Sequence, residues 1–280
     1  MIDLIIDLGA NDGADLSYYL MKAKKVVAVE ANLILCEQIR SKYRDEITNG
    51  RLQIENVAVT VGSTGKCDFY LHKVNHGLSQ MTKPHNLDDF ERIEIDSLNV
   101  IELIEKYVSE HNGFKYYLKV DLENYDKFII KDIFEKDYFP HYLSVESHDV
   151  EVMSRLIASE KYSYYNIVEG SEVEKNYRKS KIQVGDDLIE FTFPAHSAGP
   201  FGDDIAGGWF DSGDLFRILG YIGMGWRDIH ATSEVPKKTK NLSFLDLRKL
   251  AFISFLRQLY KSLINEKVRD KLFTIRKGLT

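Results

Sequence analysis

Residues 1–20, "MIDLIIDLGANDGADLSYYL", decide the fold. The apolar, β-branched run over Ile2–Leu8 predicts a strand buried in a parallel sheet. Residues 9–13 then predict a tight turn, because glycine accepts positive φ and lets a ligand approach the backbone closely. A helical pattern over 14–23 follows. A strand, a glycine turn and a helix in this order are typical of a site for a nucleotide-like ligand.

Strand and helix patterns alternate through the rest of the first half, which predicts βαβ units and a mostly parallel sheet with helices on both faces. Strands are expected over 26–30, 51–60, 66–73, 92–96, 114–124 and 142–148, and helices over 33–43, 98–107, 126–134 and 150–160. The polar stretch 74–86 is expected to be a loop near the site. Extended patterns recur at 162–170 and 181–194, before the glycine-rich stretch 196–214.

The composition is that of an ordinary globular protein, with 44% hydrophobic and 29% charged residues in a chain of 280. The net charge of −6 hides an asymmetry, because residues 235–280 carry 12 basic and 3 acidic side chains. The remaining body is strongly acidic, which argues against general nucleic-acid binding. The sequence shows no transmembrane run, no signal peptide and no metal-binding cysteine spacing, so we expect a cytoplasmic protein.

The spacing of the two glycines limits which class of ligand the turn can bind. Gly9 and Gly13 do not fit the G-x-G-x-x-G dinucleotide fingerprint, and no Gly-Lys-Ser/Thr ending supports a phosphate-binding P-loop. An acidic residue, Glu30, ends the second strand, where a carboxylate accepts hydrogen bonds from both hydroxyls of a ribose. This layout is that of class I S-adenosylmethionine (SAM)-dependent methyltransferases. A chance glycine turn is the structural alternative.

Five motifs resemble the FkbM family of SAM-dependent methyltransferases and occur in that family's order. They are "IIDLGANDGADLSYYL", "VVAVEAN", "LQIENVAV", "IEIDSL" and "YYLKVDLENYDKFIIKDI", within residues 2–148. The resemblance implies a Rossmann-like class I methyltransferase fold with SAM as cofactor. It also implies O-methylation of a sugar or of another natural-product hydroxyl.

The resemblance assigns residues to the cofactor site. It places Asp7, Gly9, Ala10, Asn11 and Gly13 in the SAM loop, Glu30 and Ala31 at the ribose, Asn56, Val57 and Ala58 at the adenine edge, and Ser79 and Asp121 near the cofactor. Glu123 matches the second carboxylate after the central strand. Asn124 and Asp126 stand where the family has glycine and glutamate, which leaves the geometry of that turn open.

Methyl transfer from a sulfonium is an in-line displacement, and a sugar hydroxyl gains from a general base or from a metal. We expect Asp121 to orient substrate or cofactor, with His148 or His76 as the base. Alternatively, Asp121, Glu146 and His148 hold Mg²⁺ or a similar ion. The structural alternatives are helix capping by the carboxylates and a simple hydrogen-bonded role for His148.

The glycine-rich stretch 196–214 suggests an acceptor-binding or lid element for a glycan, since sugar sites combine carboxylates with an aromatic face. The candidate acceptor-binding residues are Glu123, His196, Asp203, Asp204 and Trp209. A structural Ω-loop or a dimer contact is the alternative. Trp226, Arg227 and His230 are weaker candidates for the same place.

The basic stretch 236–280 has apolar residues at helical spacing. It predicts an amphipathic helix that contacts the inner face of a membrane, docks on the acidic body or associates with another subunit.

The sequence as a whole therefore predicts a methyltransferase domain over 1–235 and a basic helical tail over 236–280. Within that domain, residues 1–148 form the SAM-binding half and 149–235 carry acceptor-binding elements. The predicted activity is SAM-dependent O-methylation of a sugar or glycan hydroxyl. Alternatives are a methyltransferase of a non-sugar metabolite, a non-catalytic SAM- or glycan-binding module and, third, an NAD-dependent oxidoreductase.

Overall fold

The computed structural model describes residues 1–108 and 113–263. In chain order, the described residues form β1 (Ile2–Leu8), α1 (Leu16–Lys22), β2 (Ala23–Val29), α2 (Leu33–Lys42), α3 (Arg44–Thr48), β3 (Leu52–Glu55), β4 (Ala58–Thr60), β5 (Gly65–His72), β6 (Phe90–Asn99), α4 (Val100–Tyr107), β7 (Tyr116–Val120), α5 (Asp126–Glu135), β8 (Tyr142–Glu146), α6 (Val150–Ala158), β9 (Tyr164–Glu169), α7 (Val173–Asn176), β10 (Ser180–Val184), β11 (Asp187–Phe191), α8 (Ser212–Ile222), β12 (Arg227–Thr232) and α9 (Phe244–Leu263).

The main sheet has seven strands in the order β3-β2-β1-β7-β8-β12-β9. All neighbours pair in parallel except β12, which runs antiparallel to both β8 and β9. The strand order reverses between β1 and β7, and the crevice at such a switch point is where open α/β sheets bind ligands. The Rossmann-like class I methyltransferase fold is confirmed.

Two hydrophobic cores lie on the two faces of this sheet. On one face, α4, α5, α6 and α8 bury Ile104, Ile129, Leu156 and Leu215 against the strands. On the other, α1 and α2 pack with the segment that follows β11, through residues such as Tyr19 and Phe201. The central strands are therefore covered on both sides, which explains their unbroken apolar sequences.

Two features of the sheet differ from the sequence prediction. The strand expected over 51–60 is split, because only β3 joins the main sheet and β4 pairs with β6 in a separate sheet of order β4-β6-β5. The strand β12 was not predicted, since its residues give no clear period. Its pairing depends on β8 and β9, which lie far from it in the chain.

The chain after β12 is fixed to the body before α9 begins. Trp209 exchanges backbone hydrogen bonds with Lys238 and Lys240, and α9 then packs against α8. The C-terminal helix is thus confirmed for the part that the structure describes, whereas residues 264–280 lie outside it. None of the described helices combines the length and apolarity that crossing a membrane requires.

Candidate active site

A cavity of about 740 Å³ opens at the carboxyl ends of β1, β2, β7 and β8. Of the residues predicted from sequence, those that line it are Gly9, Asn11, Glu30, Ala31, Val57, Ala58, His76, Ser79, Asp121, Glu123, Glu146, His148 and His196. Leu35, Phe69, Leu78, Met81 and Trp226 are among the further lining residues. One cavity therefore joins the predicted cofactor loop to the predicted acid–base residues.

The turn after β1 requires glycine at its first position. Gly9 has φ +84°, and a Cβ there would lie 1.9 Å from the backbone oxygen of Asp121. Its backbone N–H donates to the Val29 oxygen at 3.0 Å, so β1, β2 and β7 meet closely at this point. Gly13 (φ +72°) does not line the cavity. A Cβ there would lie 2.9 Å from the Leu16 side chain and 3.1 Å from the Ile39 side chain, so glycine lets α1 and α2 pack closely at this point.

Glu30 connects the ends of β1 and β2. Its two carboxylate oxygens accept hydrogen bonds from the backbone N–H groups of Asn11 and Asn32, each at 2.8 Å. Burial raises the pKa of Glu30 to about 7, against the opposing effect of these two donors. Each carboxylate oxygen has a second lone pair, so the side chain still offers acceptors to a ligand in the cavity.

Three predicted cofactor residues support the cavity from behind instead of lining it. Asn56 Nδ2 donates to the backbone oxygens of Glu30 and Ala31, both at 3.0 Å, and so holds the chain after β2. Ala10 binds the Val29 oxygen through its N–H. Asp7 is fully buried, and its carboxylate lies 3.3 Å from Lys119 Nζ. These three residues therefore hold the backbone and the charges around the cavity without lining it, and their contact with a cofactor stays a prediction.

Lys119 is the functional residue that sequence reasoning missed. It is 3% exposed on β7, and its Nζ lies 3.3 Å from Asp7 and 3.1 Å from Asp121. Burial opposes its charge, but the carboxylates of Asp121 and Asp7 outweigh this and raise its pKa. A lysine within the apolar strand "YYLKV" was the available signal, because a buried cation requires anionic partners.

The turn after β7 places Glu123 at the cavity wall. Glu123 and Asn124 both have positive φ, +40° and +67°. Asparagine tolerates this left-handed conformation better than most residues, which explains why it stands where the FkbM motif has glycine. Asp126 Oδ1 accepts from the Leu122 N–H at 2.9 Å and closes the turn.

The predicted metal set needs one correction. Among the described residues, Glu123, Glu146 and His148 offer ligand atoms within 4.8 Å of one another, and Asp121 does not belong to this group because its carboxylate pairs with Lys119. Burial, with the nearby Asp121, raises the pKa of Glu146 to about 10 and that of Glu123 to about 8.

His148 is held next to Glu146 at the end of β8. Its Nε2 lies 3.2 Å from Glu146 Oε1, and burial lowers the pKa of the imidazole. A neutral imidazole beside a carboxyl group is suited to accept a proton from a bound hydroxyl. His76 lies instead on the loop side of the cavity, where its Nδ1 is 3.5 Å from Asn32 Nδ2.

The predicted acceptor or lid segment is largely structural. Asp204 forms a buried ion pair with Lys22 at 2.7 Å and accepts from the Tyr18 hydroxyl at 2.8 Å. Asp203 caps the Lys237 N–H, and Trp209 is 3% exposed beneath the chain that leads to α9. These three residues do not line the cavity, because the segment that carries them is bound to α1 through Asp204. The structure therefore places these three residues away from the cavity, and their acceptor role stays a prediction.

Trp226 takes the place that Trp209 was expected to occupy. It lines the cavity with 47% of its surface exposed. Its neighbours point elsewhere: Arg227 pairs with Glu169 at 2.7 Å, and His230 is buried in β12 with its pKa lowered to about 3 by burial. Of the three weaker candidates, only the tryptophan reaches the cavity.

Comparisons with known proteins give similar folds only. No family model matches the sequence, and no curated protein matches it significantly. The methyltransferase FkbM from Methylobacillus flagellatus KT is 15% identical over 59% of this chain and 40% of its own, with a TM-score of 0.38. A SAM-dependent O-methyltransferase from Thermotoga maritima is 12% identical over 86% and 61%, with a TM-score of 0.32.

A putative methyltransferase from Streptococcus mutans in complex with SAH is 14% identical over 59% of this chain and 77% of its own, with a TM-score of 0.30. An rRNA methylase and a tRNA methyltransferase also match. These solved structures differ in acceptor. The chain spans less than two thirds of the length of the first two.

Proposed function

We propose that this protein is a SAM-dependent methyltransferase that methylates a hydroxyl group of a sugar or glycan. The observation that carries the proposal is the position of Glu30. Its buried carboxylate lies at the end of β2, bound to the Gly9–Asn11 turn, on the wall of a cavity of about 740 Å³. A carboxylate in this position accepts from the two hydroxyls of a ribose, and the absence of the third glycine disfavours a dinucleotide.

The rest of the cofactor is assigned by its chemistry. Val57, Ala58 and Leu35 give the apolar wall that an adenine ring needs, next to Glu30. The backbone at Gly9, where a side chain would clash, lies where the amino-acid part of SAM passes towards Asp121. The methyl group then faces the carboxyl ends of β7 and β8.

His148 is the proposed general base. Methyl transfer is an in-line displacement, so the protein must hold the acceptor oxygen opposite the sulfonium and remove its proton. The lowered pKa keeps the His148 imidazole neutral, and Glu146 orients the ring through the 3.2 Å contact. Asp121, fixed by Lys119, orients the cofactor or the acceptor at the same edge.

A sugar acceptor suits other residues that line the same cavity. Trp226 offers an aromatic face, on which the C–H groups of a sugar ring pack. Glu123 and His196, also on the wall, offer hydrogen bonds to its hydroxyls. A non-sugar alcohol is the competing acceptor, and a panel of both distinguishes them.

A divalent cation is the second means of activating the hydroxyl. Glu123, Glu146 and His148 would hold it, and it would lower the pKa of the acceptor hydroxyl. Turnover after treatment with a chelator, followed by readdition of Mg²⁺, separates the two mechanisms. Full turnover in the chelator supports His148 acting as a base alone.

Calorimetry with SAM, S-adenosylhomocysteine and NAD tests the cofactor assignment. We expect both sulfur compounds to bind and NAD to bind weakly or not at all. Glu30→Gln should weaken the binding of both sulfur compounds. The amide keeps one acceptor oxygen, whereas its nitrogen only donates and cannot accept from the second ribose hydroxyl. Glu37→Gln, on the exposed side of α2, is the matched control and should bind normally. Unchanged affinity of Glu30→Gln would contradict the ribose assignment.

Mass spectrometry of a panel of sugars and small alcohols incubated with labelled SAM tests the acceptor. We expect methylation of a sugar hydroxyl and its loss in His148→Asn, with SAM affinity retained. Binding of SAM without turnover on any acceptor would favour a non-catalytic module.

A further inference from the structure

The helix α9 presents a broad apolar face that the protein does not cover. Its half-buried residues are Asp246, Leu247, Leu250 and Ser254, and the spacing of three and four between the last three places them on one side of the helix. The opposite side carries large apolar side chains that are 43% to 74% exposed: Phe244, Leu245, Phe252, Ile253, Phe255, Leu256 and Tyr260. Because α9 already packs on α8, docking on the acidic body leaves this face free.

The same face is basic. Arg248 and Lys249 lie among the exposed apolar residues at one turn's spacing from Phe252 and Leu245. The surrounding segment 235–280 carries 12 basic and 3 acidic side chains. Exposed aromatic and aliphatic side chains interleaved with Lys and Arg are the features of helices that lie in the plane of an anionic membrane surface.

We propose that α9 docks through this face on an anionic lipid surface. Apolar side chains enter the boundary between headgroups and acyl chains, and each nearby Lys or Arg gains from the negative surface potential. Charge favours a lipid surface over a second copy of this chain as the partner of this face. Two copies that meet through α9 would bring two strongly basic segments together, whereas an anionic lipid surface would neutralise the positive charge of one segment.

The helix α9 runs alongside α8, towards the end of α8 that lies near the cavity wall. Leu242 N–H donates to Asp214 at the start of α8, and Arg257 donates to the Ile222 oxygen at its end, so the two helices run in the same direction. Trp226, on the cavity wall, follows α8 by four residues. A helix that lies in the plane of the surface therefore runs along it towards the end of α8 that precedes Trp226.

Flotation with vesicles tests the proposal on the full chain. We expect binding to vesicles of phosphatidylcholine mixed with phosphatidylglycerol, much weaker binding to phosphatidylcholine alone, and loss of binding as salt is raised. The double variant Phe252→Ser/Phe255→Ser should lower the vesicle affinity about tenfold or more. Serine has no aromatic ring whose transfer from water into the lipid would favour binding. Its control is Leu188→Ser, an equally exposed apolar residue on β11.

Charge reversal gives a second, independent variant. Arg248→Glu/Lys249→Glu should also lower the affinity about tenfold or more for the anionic vesicles. The matched control Lys179→Glu, exposed outside the tail, should bind as the wild type does. Equal binding of all variants, or no binding of the wild type, would overturn the proposal. So would a dimer in light scattering that Phe252→Ser/Phe255→Ser converts to a monomer without any vesicle binding.

Discussion

Single residues set the geometry of the cofactor end. Gly9 is required because two constraints act there at once: a positive φ and contact with the backbone of the neighbouring strand. Glu30 acts differently, since its carboxylate on the cavity wall binds one backbone donor of the turn and one at the start of α2. Both roles follow from positions that the strand–turn–helix pattern had already identified.

Gly9→Ala should prevent folding or abolish SAM binding. The new Cβ would lie 1.9 Å from the Asp121 oxygen, so β1 and β7 would have to separate. Gly50→Ala is the control, because Gly50 also has positive φ, +79°, but has no atom within 4 Å of the added Cβ. It should cost only about 1–2 kcal/mol of backbone strain in urea unfolding. Equal losses in the two variants would show that strain alone makes Gly9 necessary.

The affinity for S-adenosylhomocysteine should depend on the protonation of Glu30. Its pKa in the free protein is raised to about 7 by burial, and the carboxylate is the form that accepts from the ribose. Affinity should therefore fall as the pH is lowered through about 7, by up to about tenfold per pH unit. Calorimetry across this range measures it. Glu30→Gln should bind more weakly but with a flatter pH profile, and a retained slope would implicate another group.

At the scale of elements, tertiary contacts assign residues that looked equivalent in the sequence. Asp203 and Asp204 are adjacent in a glycine-rich loop, yet one caps the chain that leads to α9 and the other pairs with α1. Trp209 is buried beneath the linker, whereas Trp226 lines the cavity. Residue type alone did not distinguish which of two like residues lies at the cavity.

Asp204→Ala should destabilise the protein and spare its chemistry. Removing one partner of a buried ion pair leaves Lys22 with an uncompensated charge and the Tyr18 hydroxyl without its acceptor. The expected loss is about 3 kcal/mol in urea unfolding, with SAM binding retained at low temperature. Asp203→Ala should cost far less, because that residue is exposed. Loss of acceptor binding in a folded Asp204→Ala would restore its original assignment.

At the scale of the whole molecule, acidic groups gather at one edge of the sheet. Glu146 on β8 lies opposite Asp228 on β12, and Asp121 directly follows β7, where it pairs with the buried Lys119. Burial, and after it the charge of Asp121, raises the pKa of Asp228 to about 8. The protonation of this edge therefore changes above neutral pH.

Stability should fall as the pH rises from about 6.5 to 8. A carboxyl whose pKa is higher in the folded than in the unfolded chain stabilises below its unfolded value, and this contribution is lost as the pH passes the folded value. Asp228 behaves in this way, and so do Glu123 and Glu146. His230, whose pKa is lowered to about 3, acts in the opposite direction, but only below about 6.5.

The expected slope from Asp228 is at most about 1.4 kcal/mol per pH unit. Thermal unfolding between pH 6.5 and 8 measures it, and Asp228→Asn should lower the slope by this share while the contributions of Glu123 and Glu146 remain. An Asn variant with the wild-type slope would show that other groups dominate.

The sequence by itself determined the parallel sheet, the glycine turn, Glu30 and the carboxylates after β7, because each depends on local periodicity or on the residue that ends a strand. Only the tertiary structure decided the antiparallel β12, the role of Lys119, the replacement of Asp121 by Glu123 in the ligand cluster, and the choice of Trp226 over Trp209. Each of these depends on which distant strands become neighbours. That pairing is fixed by packing across the whole sheet, and no short stretch of sequence encodes it.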